Sequence, residues 1–442
     1  MKTIVLTKLQ NSQIEENSKT KLQAFQRKIY LKAKQNPKYK FYCLYDKVFR
    51  KDVLKEAYRR VKANKGAPGI DRIAFDDLEG KEEEYINEIQ EELKRKQYRP
   101  NGLREIEIPK ENGKKRLLRI PTIKDRIVQM AIKIIIEPIF EADFEENSYG
   151  YRPKKSAHQA IAKLDKSLFR EIYKTEENRK EIKSADLSDC FNVIPQKELL
   201  QLISKRIIDR QLIKVIKMIM KTGIMEKREE EDKEDRGTPQ GGVLSPLLAN
   251  IYLDKLDKYW KKNTTKSKMI RYADDFVIIL DKAEEERYNK FLEYIQGELK
   301  LKVNKEKTRT ESIRQGVKFL GFQIKEKTSK RKKQYLSLEP SKEAIKKIRG
   351  KIKDMTKRTN IASTEDTIQR INWVLRGWQQ YFDNISMGKT RNEVKNYVEL
   401  RVMKFISKRK KKRKITWKLF EKGELYEKYG LHKMENLGRK FT

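Results

Sequence analysis

Asp274 and Asp275 stand side by side between two apolar runs, Met269–Tyr272 and Phe276–Leu280, so a tight turn between two strands is expected to present a pair of carboxylates. Adjacent carboxylates repel, and without a counter-charge one of them would take up a proton. A divalent cation removes that cost. Mg²⁺ takes hard oxygen ligands, usually one or two carboxylates with water and substrate phosphates, and Mn²⁺ can substitute for it. A third acid, Asp186, lies at the end of the short strand Ile182–Leu187, with Phe191 five residues on. Asp186, Asp274 and Asp275 together make a candidate two-metal site, the arrangement used for in-line phosphoryl transfer.

These residues need a scaffold. Between Arg104 and Pro121 short alternating runs flank Asn112-Gly113, a strong hairpin signal, and the arms carry Arg104, Lys110, Lys114, Lys115, Arg116 and Arg119. A basic hairpin that touches phosphate is predicted. Apolar residues at helical spacing predict helices at Val53–Val61, 124–141, 198–222 and Tyr288–Leu299. Strand signals at Val317–Ile324 give way to a basic helical module carrying Ile345, Ile348, Ile352 and Met355, then Ile368, Ile371, Leu375 and Trp378. Glu226–Arg236 reads as a solvated loop. The aromatic cluster Phe41–Phe49 reads as packing.

Composition narrows the chemistry. The 442 residues hold 105 Lys+Arg against 65 Asp+Glu, a net charge of +40, which favours a polyanionic partner such as nucleic acid. Two cysteines and two histidines leave disulfide scaffolds, Cys-based zinc sites and most Ser-His-Asp schemes without material, and fit a reducing compartment. No apolar run approaches the roughly 18 residues of a membrane span, so a cytoplasmic protein with no membrane partner is expected.

Tyr272-Ala273-Asp274-Asp275 resembles the catalytic signature of reverse transcriptases, and the run from Gly237 to Asn250, beginning Gly237-Thr238-Pro239-Gln240-Gly241-Gly242, is similar to the group II intron-encoded branch. Lys65–Asp71, Ile108-Pro109-Lys110, Ile120-Pro121-Thr122, Ser148–Pro153, Asn304–Thr308, Phe319–Phe322 and Leu375–Trp378 follow in the family's order, over about residues 50–400. The resemblance implies an α+β fold: a right-hand polymerase with fingers and palm, antiparallel sheet plus helices, followed by an α-helical thumb or maturase domain. The implied domains are a basic N-terminal arm over 1–50, fingers and palm over 51–330, the thumb/maturase domain over 331–400 and a basic nucleic-acid-binding tail over 401–442.

By the same resemblance Asp186, Asp274 and Asp275 are the metal-binding catalytic acids. Lys110 and Arg116, with Arg104 and Lys114 nearby, hold the incoming deoxynucleoside triphosphate. Phe191 is the steric gate against a 2′-hydroxyl, Gln240 and Gly241 shape the nucleotide pocket, and Phe319-Leu320-Gly321 forms the primer grip. Arg152, Lys307, Arg376 and the seven consecutive cations Lys408, Arg409, Lys410, Lys411, Lys412, Arg413 and Lys414 are candidates for nucleic-acid contact. Trp373 and Trp378 are expected inside the thumb, His158 in a structural role and His432 exposed.

The implied activity is RNA-directed DNA synthesis in a bacterial cytoplasm, on an RNA template with a DNA primer or target DNA. Binding of group II intron RNA would promote splicing and retrohoming. Two departures matter. Asn192 stands where the family pattern has an acid, with Asp189 close by, and the few Cys and His residues give no expectation of the endonuclease domain of many relatives. Three other readings remain open: a splicing factor whose polymerase site has decayed, a free-standing relative serving defence or repair, and an RNA-dependent RNA polymerase. Intact Asp186, Asp274 and Asp275 speak against the first, and Phe191, where that class places an acid, against the last.

Overall fold

The computed structural model describes residues 20–109, 115–222, 236–304, 308–382, 388–410 and 423–435. The chain divides into two compact units, the first built from Met1–Ser156, Ala185–Phe276 and Glu284–Lys307, the second from Ala157–Ser184, Val277–Ala283 and Thr308–Thr442.

The first unit is organised round the helix Ile123–Glu141, which is buried on nearly every side, its apolar run from Ile127 to Phe140 interrupted only by Gln129, Lys133 and Glu137. Thr122 starts it, its hydroxyl accepting the Asp125 amide. The amphipathic helix Lys51–Ala63 buries Val53, Leu54, Ala57, Tyr58 and Val61. The predicted hairpin is present as β1 (Arg104–Pro109) and β2 (Lys115–Ile120), antiparallel, with Arg104 opposite Ile120 and Arg116 opposite Ile108. Part of its charge is offset within the hairpin, since Glu105 pairs with Arg119 and Glu107 with Lys115.

The five-stranded sheet runs β4 (Lys268–Tyr272), β5 (Asp275–Leu280), β3 (Glu181–Ser188) and β6 (Lys302–Val303), with β7 (Arg309–Glu311) also on β3. The helices Ser245–Asn263 and Glu285–Gly297 lie in the first unit, where Trp260 and Phe276 both pack edge-on against Phe291.

The predicted helix over 198–222 is instead two, Gln196–Ser204 and Arg210–Lys221. Phe41 draws the intervening chain into a strand-like bridge: its amide donates to the Arg206 carbonyl and its carbonyl accepts the Ile208 amide. Asp209 then restarts the helix, one carboxylate oxygen accepting the Leu212 amide and the other those of Leu44 and Tyr45. In the aromatic cluster Phe41 and Tyr45 are buried, as expected of packing, while Tyr42 is exposed. The loop expected at Glu226–Arg236 lies, up to residue 235, outside the described residues.

In the second unit β8 (Val317–Phe319), β9 (Phe322–Thr328) and β10 (Gln334–Pro340) form an antiparallel sheet. Strand β10 occupies a stretch read from sequence as already helical. Its Leu336 and Leu338 lie opposite Glu326 and Ile324 of β9, so pairing with β9 overrides its weak periodicity. The helices Lys342–Met355, Thr364–Phe382 and Gly388–Arg409 enclose a core of Ile348, Ile352, Ile371, Leu375, Val398 and Val402. Leu425, Leu431 and Met434 complete that core. Trp378 packs against it, whereas Trp373, expected inside, is 62% exposed on the opposite face of its helix. His158 is structural, Nε2 lying 2.7 Å from the Tyr381 carbonyl. His432, expected exposed, is half-buried and bonded to Gln379.

Candidate active site

Strand β3 is buried along most of its length and carries Asp186 near its end, 9% exposed. The Asp186 carbonyl accepts the Asn304 amide at 2.8 Å, which fixes the backbone beneath the carboxylate. Strands β4 and β5 are joined by a turn in which Ala273 takes a left-handed conformation at φ +58°, a strained state for a residue with a Cβ. That turn puts Asp274 at its tip and makes Asp275 the first residue of β5. The Leu187 amide donates to the Asp274 carbonyl at 3.2 Å, so Asp274 stands beside Asp186 although 88 residues separate them.

Electrostatics report the same proximity. The buried Cys190 thiol is pushed up to about 12, first by burial and then by Asp274 and Asp186, with Arg271 opposing. Among the described residues no three His, Cys, Asp or Glu side chains gather as a metal cage. Mg²⁺ does not require one, because it is usually held by one or two carboxylates and completed by water and substrate phosphates. Two neighbouring carboxylates with a third next in the chain fit that donor chemistry.

Around this pair the backbone is stitched tightly. The one-turn helix Cys190–Val193 carries Phe191, half-buried, with its ring edge-on to Tyr151 at 6.4 Å. The Phe191 carbonyl accepts the Thr238 amide at 2.7 Å, and the Ile194 carbonyl accepts that of Gly237 at 2.8 Å. At the far end of the same segment the Gln240 carbonyl accepts the Arg119 amide of β2 at 2.8 Å. Gly241 is at φ +116°, and a Cβ there would lie 2.3 Å from the Arg119 carbonyl oxygen, so only glycine lets the segment approach the hairpin. Residues 237–241 therefore bridge the Phe191 helix and the basic hairpin. Tyr151, which sequence reasoning passed over in favour of its neighbour Arg152, faces Phe191; its place in the Ser148–Pro153 motif was the available signal.

A second seam runs along β4. The Arg271 amide donates to the Asn147 carbonyl and the Tyr149 amide to the Arg271 carbonyl, both at 2.9 Å. Gly150 then lies against the β4–β5 turn so closely that a Cβ would be 2.3 Å from the Ala273 nitrogen.

The other predicted residues are placed elsewhere. Arg152 is buried, bidentate to Glu141 and donating to the carbonyls of Glu145 and Ser148, so its donors are spent inside the fold. Arg104, exposed on β1, donates to the Pro68 carbonyl at 3.3 Å. In the second unit Phe319 is buried, while Leu320 and Gly321 make a left-handed turn at φ +49° and +79°. The Tyr381 hydroxyl holds that turn by donating to the Leu320 carbonyl at 3.0 Å. Arg376 is exposed on the helix Thr364–Phe382. Lys408 is exposed, Arg409 donates to the carbonyls of Asn360 and Ala362, and Lys410 donates to the Tyr429 hydroxyl. Lys110, Lys114, Lys307, Lys411, Lys412, Arg413 and Lys414 lie outside the described residues, as does the Arg116 side chain.

Residues 108–324 match the family described as reverse transcriptase (RNA-dependent DNA polymerase), and residues 345–423 match the group II intron, maturase-specific domain. Protein YkfC of Escherichia coli (strain K12) is 31% identical over 341 residues, covering 69% of this chain and 88% of that one. Group II intron-encoded protein LtrA of Lactococcus lactis subsp. cremoris is 38% identical over 217 residues, 49% of this chain but only 35% of LtrA. An uncharacterized 91 kDa protein in the cob intron of Schizosaccharomyces pombe is 33% identical over 215 residues, 48% of this chain and 25% of that one. With a reverse transcriptase domain and a maturase-specific domain both matched, the chain belongs to the group II intron-encoded reverse transcriptase and maturase family, whose enzyme class is RNA-directed DNA polymerase.

Proposed function

We propose that this chain copies RNA into DNA by two-metal phosphoryl transfer and binds group II intron RNA as a maturase, promoting splicing and retrohoming. The observation that carries the catalytic half is the Leu187–Asp274 backbone bond, which sets Asp186 and Asp274 side by side.

In this reading Asp186, Asp274 and Asp275 would hold two divalent ions, Mg²⁺ with Mn²⁺ as substitute. When bound, the ions lower the cost of deprotonating the primer 3′-hydroxyl and neutralise the departing pyrophosphate. The primer 3′-oxygen bonds to the α-phosphorus of a deoxynucleoside triphosphate as the bond from that phosphorus to the bridging oxygen breaks. The protein's own part is positioning. Phe191, edge-on to Tyr151, would act as the steric gate against a 2′-hydroxyl. The Gln240-Gly241 turn, bonded to β2 through the Arg119 amide, would shape the nucleotide pocket, and Arg104, Lys110, Lys114 and Arg116 would supply cations to the triphosphate.

Phe319-Leu320-Gly321 would grip the primer, and the helices from 345 onward would bind intron RNA through Arg376 and the cations at Lys408–Lys414. The domain plan follows: arm over 1–50, fingers and palm over 51–330, thumb/maturase over 331–400, basic tail over 401–442. No helix among the described residues is long and apolar enough to cross a membrane, and a bacterial cytoplasmic setting is proposed.

The test is primer extension on an RNA template, run beside splicing of precursor RNA containing a group II intron. Mg²⁺-dependent cDNA from deoxynucleotides and faster splicing are expected. Folded, RNA-binding protein that makes no cDNA would overturn the polymerase reading, and splicing unaffected by the protein would overturn the maturase reading.

A further inference from the structure

We propose that Arg271 is the positioning residue of the polymerase site, holding the strained turn that aims Asp274. The proposal rests on the catalytic reading of Asp274 given above. Arg271 is the largest fully buried side chain described, 1% exposed, in the strand that leads into the turn. A guanidinium is an expensive group to bury, and its planar fork can bind several acceptors at once.

Each direction of that fork has a defined partner. Nε donates to Asp257 at 2.8 Å and Nη2 donates to the same carboxylate, making a bidentate pair. Nη1 donates to Asn250 Oδ1 at 3.1 Å and to the Ala273 carbonyl oxygen at 2.9 Å. Asn250 and Asp257 are seven residues apart on the helix Ser245–Asn263, two turns along one face, so a single rigid element fixes the guanidinium from two points. Asn250 in turn donates Nδ2 to the Gly150 carbonyl at 2.8 Å, tying in the loop that presses on the turn.

The remaining contact is the informative one. Ala273 is the left-handed residue, and its carbonyl belongs to the peptide that enters Asp274. A left-handed alanine relaxes when its peptide is free to rotate, and rotation would swing the Asp274 carboxylate away from Asp186. A charge-assisted bond from a buried, immobilised donor opposes that rotation. Arg271, Asp274 and Asp186 all act on the Cys190 thiol, so cation and acids gather round the same residue. A device that only stabilised β4 would need the Asp257 pair alone.

Arg271→Lys tests this, because it keeps the charge facing Asp257 but lacks the fork to reach Asn250 and Ala273 together. Mn²⁺ binding would be measured by electron paramagnetic resonance, alongside template-RNA affinity, melting temperature and single-turnover extension at saturating nucleotide. The expected result is Mn²⁺ affinity about tenfold weaker and extension slower by up to about 10²-fold, the loss that a misplacement of about 1 Å produces. Nucleotide KM and RNA affinity should stay close to those of the natural protein, and melting should remain cooperative but at a lower temperature, because buried acceptors lose their donor.

Asn250→Ala, which leaves the Arg271–Asp257 pair whole, should show smaller losses in the same two readouts. A folded Arg271→Lys protein with natural Mn²⁺ affinity and rate would overturn the proposal. If that variant does not fold, natural values in Asn250→Ala would overturn it instead. Asp274→Asn is the control that separates the two readings: full extension there sinks the catalytic assignment itself, whereas loss there with none in Arg271→Lys sinks only the positioning role.

Discussion

Gly150→Ala should damage the proposed polymerase site from outside it, through a single added methyl group. The new Cβ would sit 2.3 Å from the Ala273 nitrogen, 2.9 Å from the Tyr272 carbonyl carbon and 3.0 Å from the Ala273 Cα. Real Cβ contacts essentially never fall below 3.0 Å, so 3.0 − 2.3 leaves 0.7 Å to be made up by movement of backbone against backbone. The loop can lift only by breaking the Arg271–Asn147, Tyr149–Arg271 and Asn250–Gly150 hydrogen bonds. At about 0.5–1.5 kcal/mol each, that route costs about 1.5–4.5 kcal/mol of stability. If the turn yields instead, Asp274 is carried off its position, and a shift approaching 1 Å slows chemistry by about 10- to 10²-fold. The gain from stiffening the unfolded chain, about 0.4–1 kcal/mol, does not offset either loss. Thermal melting with single-turnover primer extension distinguishes the two routes, the first lowering the melting temperature and the second the rate. A variant that melts and extends like the natural protein would refute the account of how this turn is held.

Three further outcomes are expected. Phe191→Ala should incorporate ribonucleotides more readily in competition assays, and unchanged sugar discrimination would remove Phe191 as the gate. Asp254 is buried with one carboxylate oxygen lacking a hydrogen-bond partner, and its pKa is raised to about 6, chiefly by burial and also by Asp257, against the pull of Lys258. For an acid raised in the folded state, the ionised form costs stability. That cost is absent below the ordinary value of 3.8, grows as pH rises toward about 6 and is constant above it. Asp254→Asn should therefore stabilise the protein above pH 6 by up to about 3 kcal/mol, from (6 − 3.8) at about 1.36 kcal/mol per unit, and give no gain near pH 4. Denaturant melts at the two pH values check this, and a pH-independent difference would contradict it. RNA affinity should fall about 10³-fold or more between 50 and 200 mM salt if six or more phosphates are contacted, and a flat salt dependence in a filter-binding assay would argue against the electrostatic basis of binding.

Residues whose roles follow from short-range pattern were readable without coordinates. The Asp274-Asp275 turn announces itself by apolar strands on either side, the hairpin by alternation around Asn-Gly, and the Ile123–Glu141 helix by its apolar residues at helical spacing. What pattern could not show depends on partners distant in sequence. The break at Asp209 exists because Phe41 pairs with Ile207. Strand β10 exists because β9 pairs with it. Arg152 looks like a nucleic-acid contact when charge alone is counted, yet its guanidinium is buried and donates to the protein's own carbonyls. Arg271 went unnoticed for the complementary reason, since within its strand nothing marks it as different from an exposed cation. Its acceptors come from Asp257 and Asn250 on a helix that ends before the strand begins.

The central claim is that the carboxylates of Asp186 and the β4–β5 turn perform metal-dependent DNA synthesis on an RNA template. RNA-templated primer extension by the natural protein and by Asp274→Asn, each with and without Mg²⁺ and each checked for template binding, tests it most directly. The account predicts cDNA only from the natural protein with Mg²⁺, while both proteins bind RNA equally. Extension by Asp274→Asn at the natural rate, or by the natural protein without a divalent ion, would contradict it.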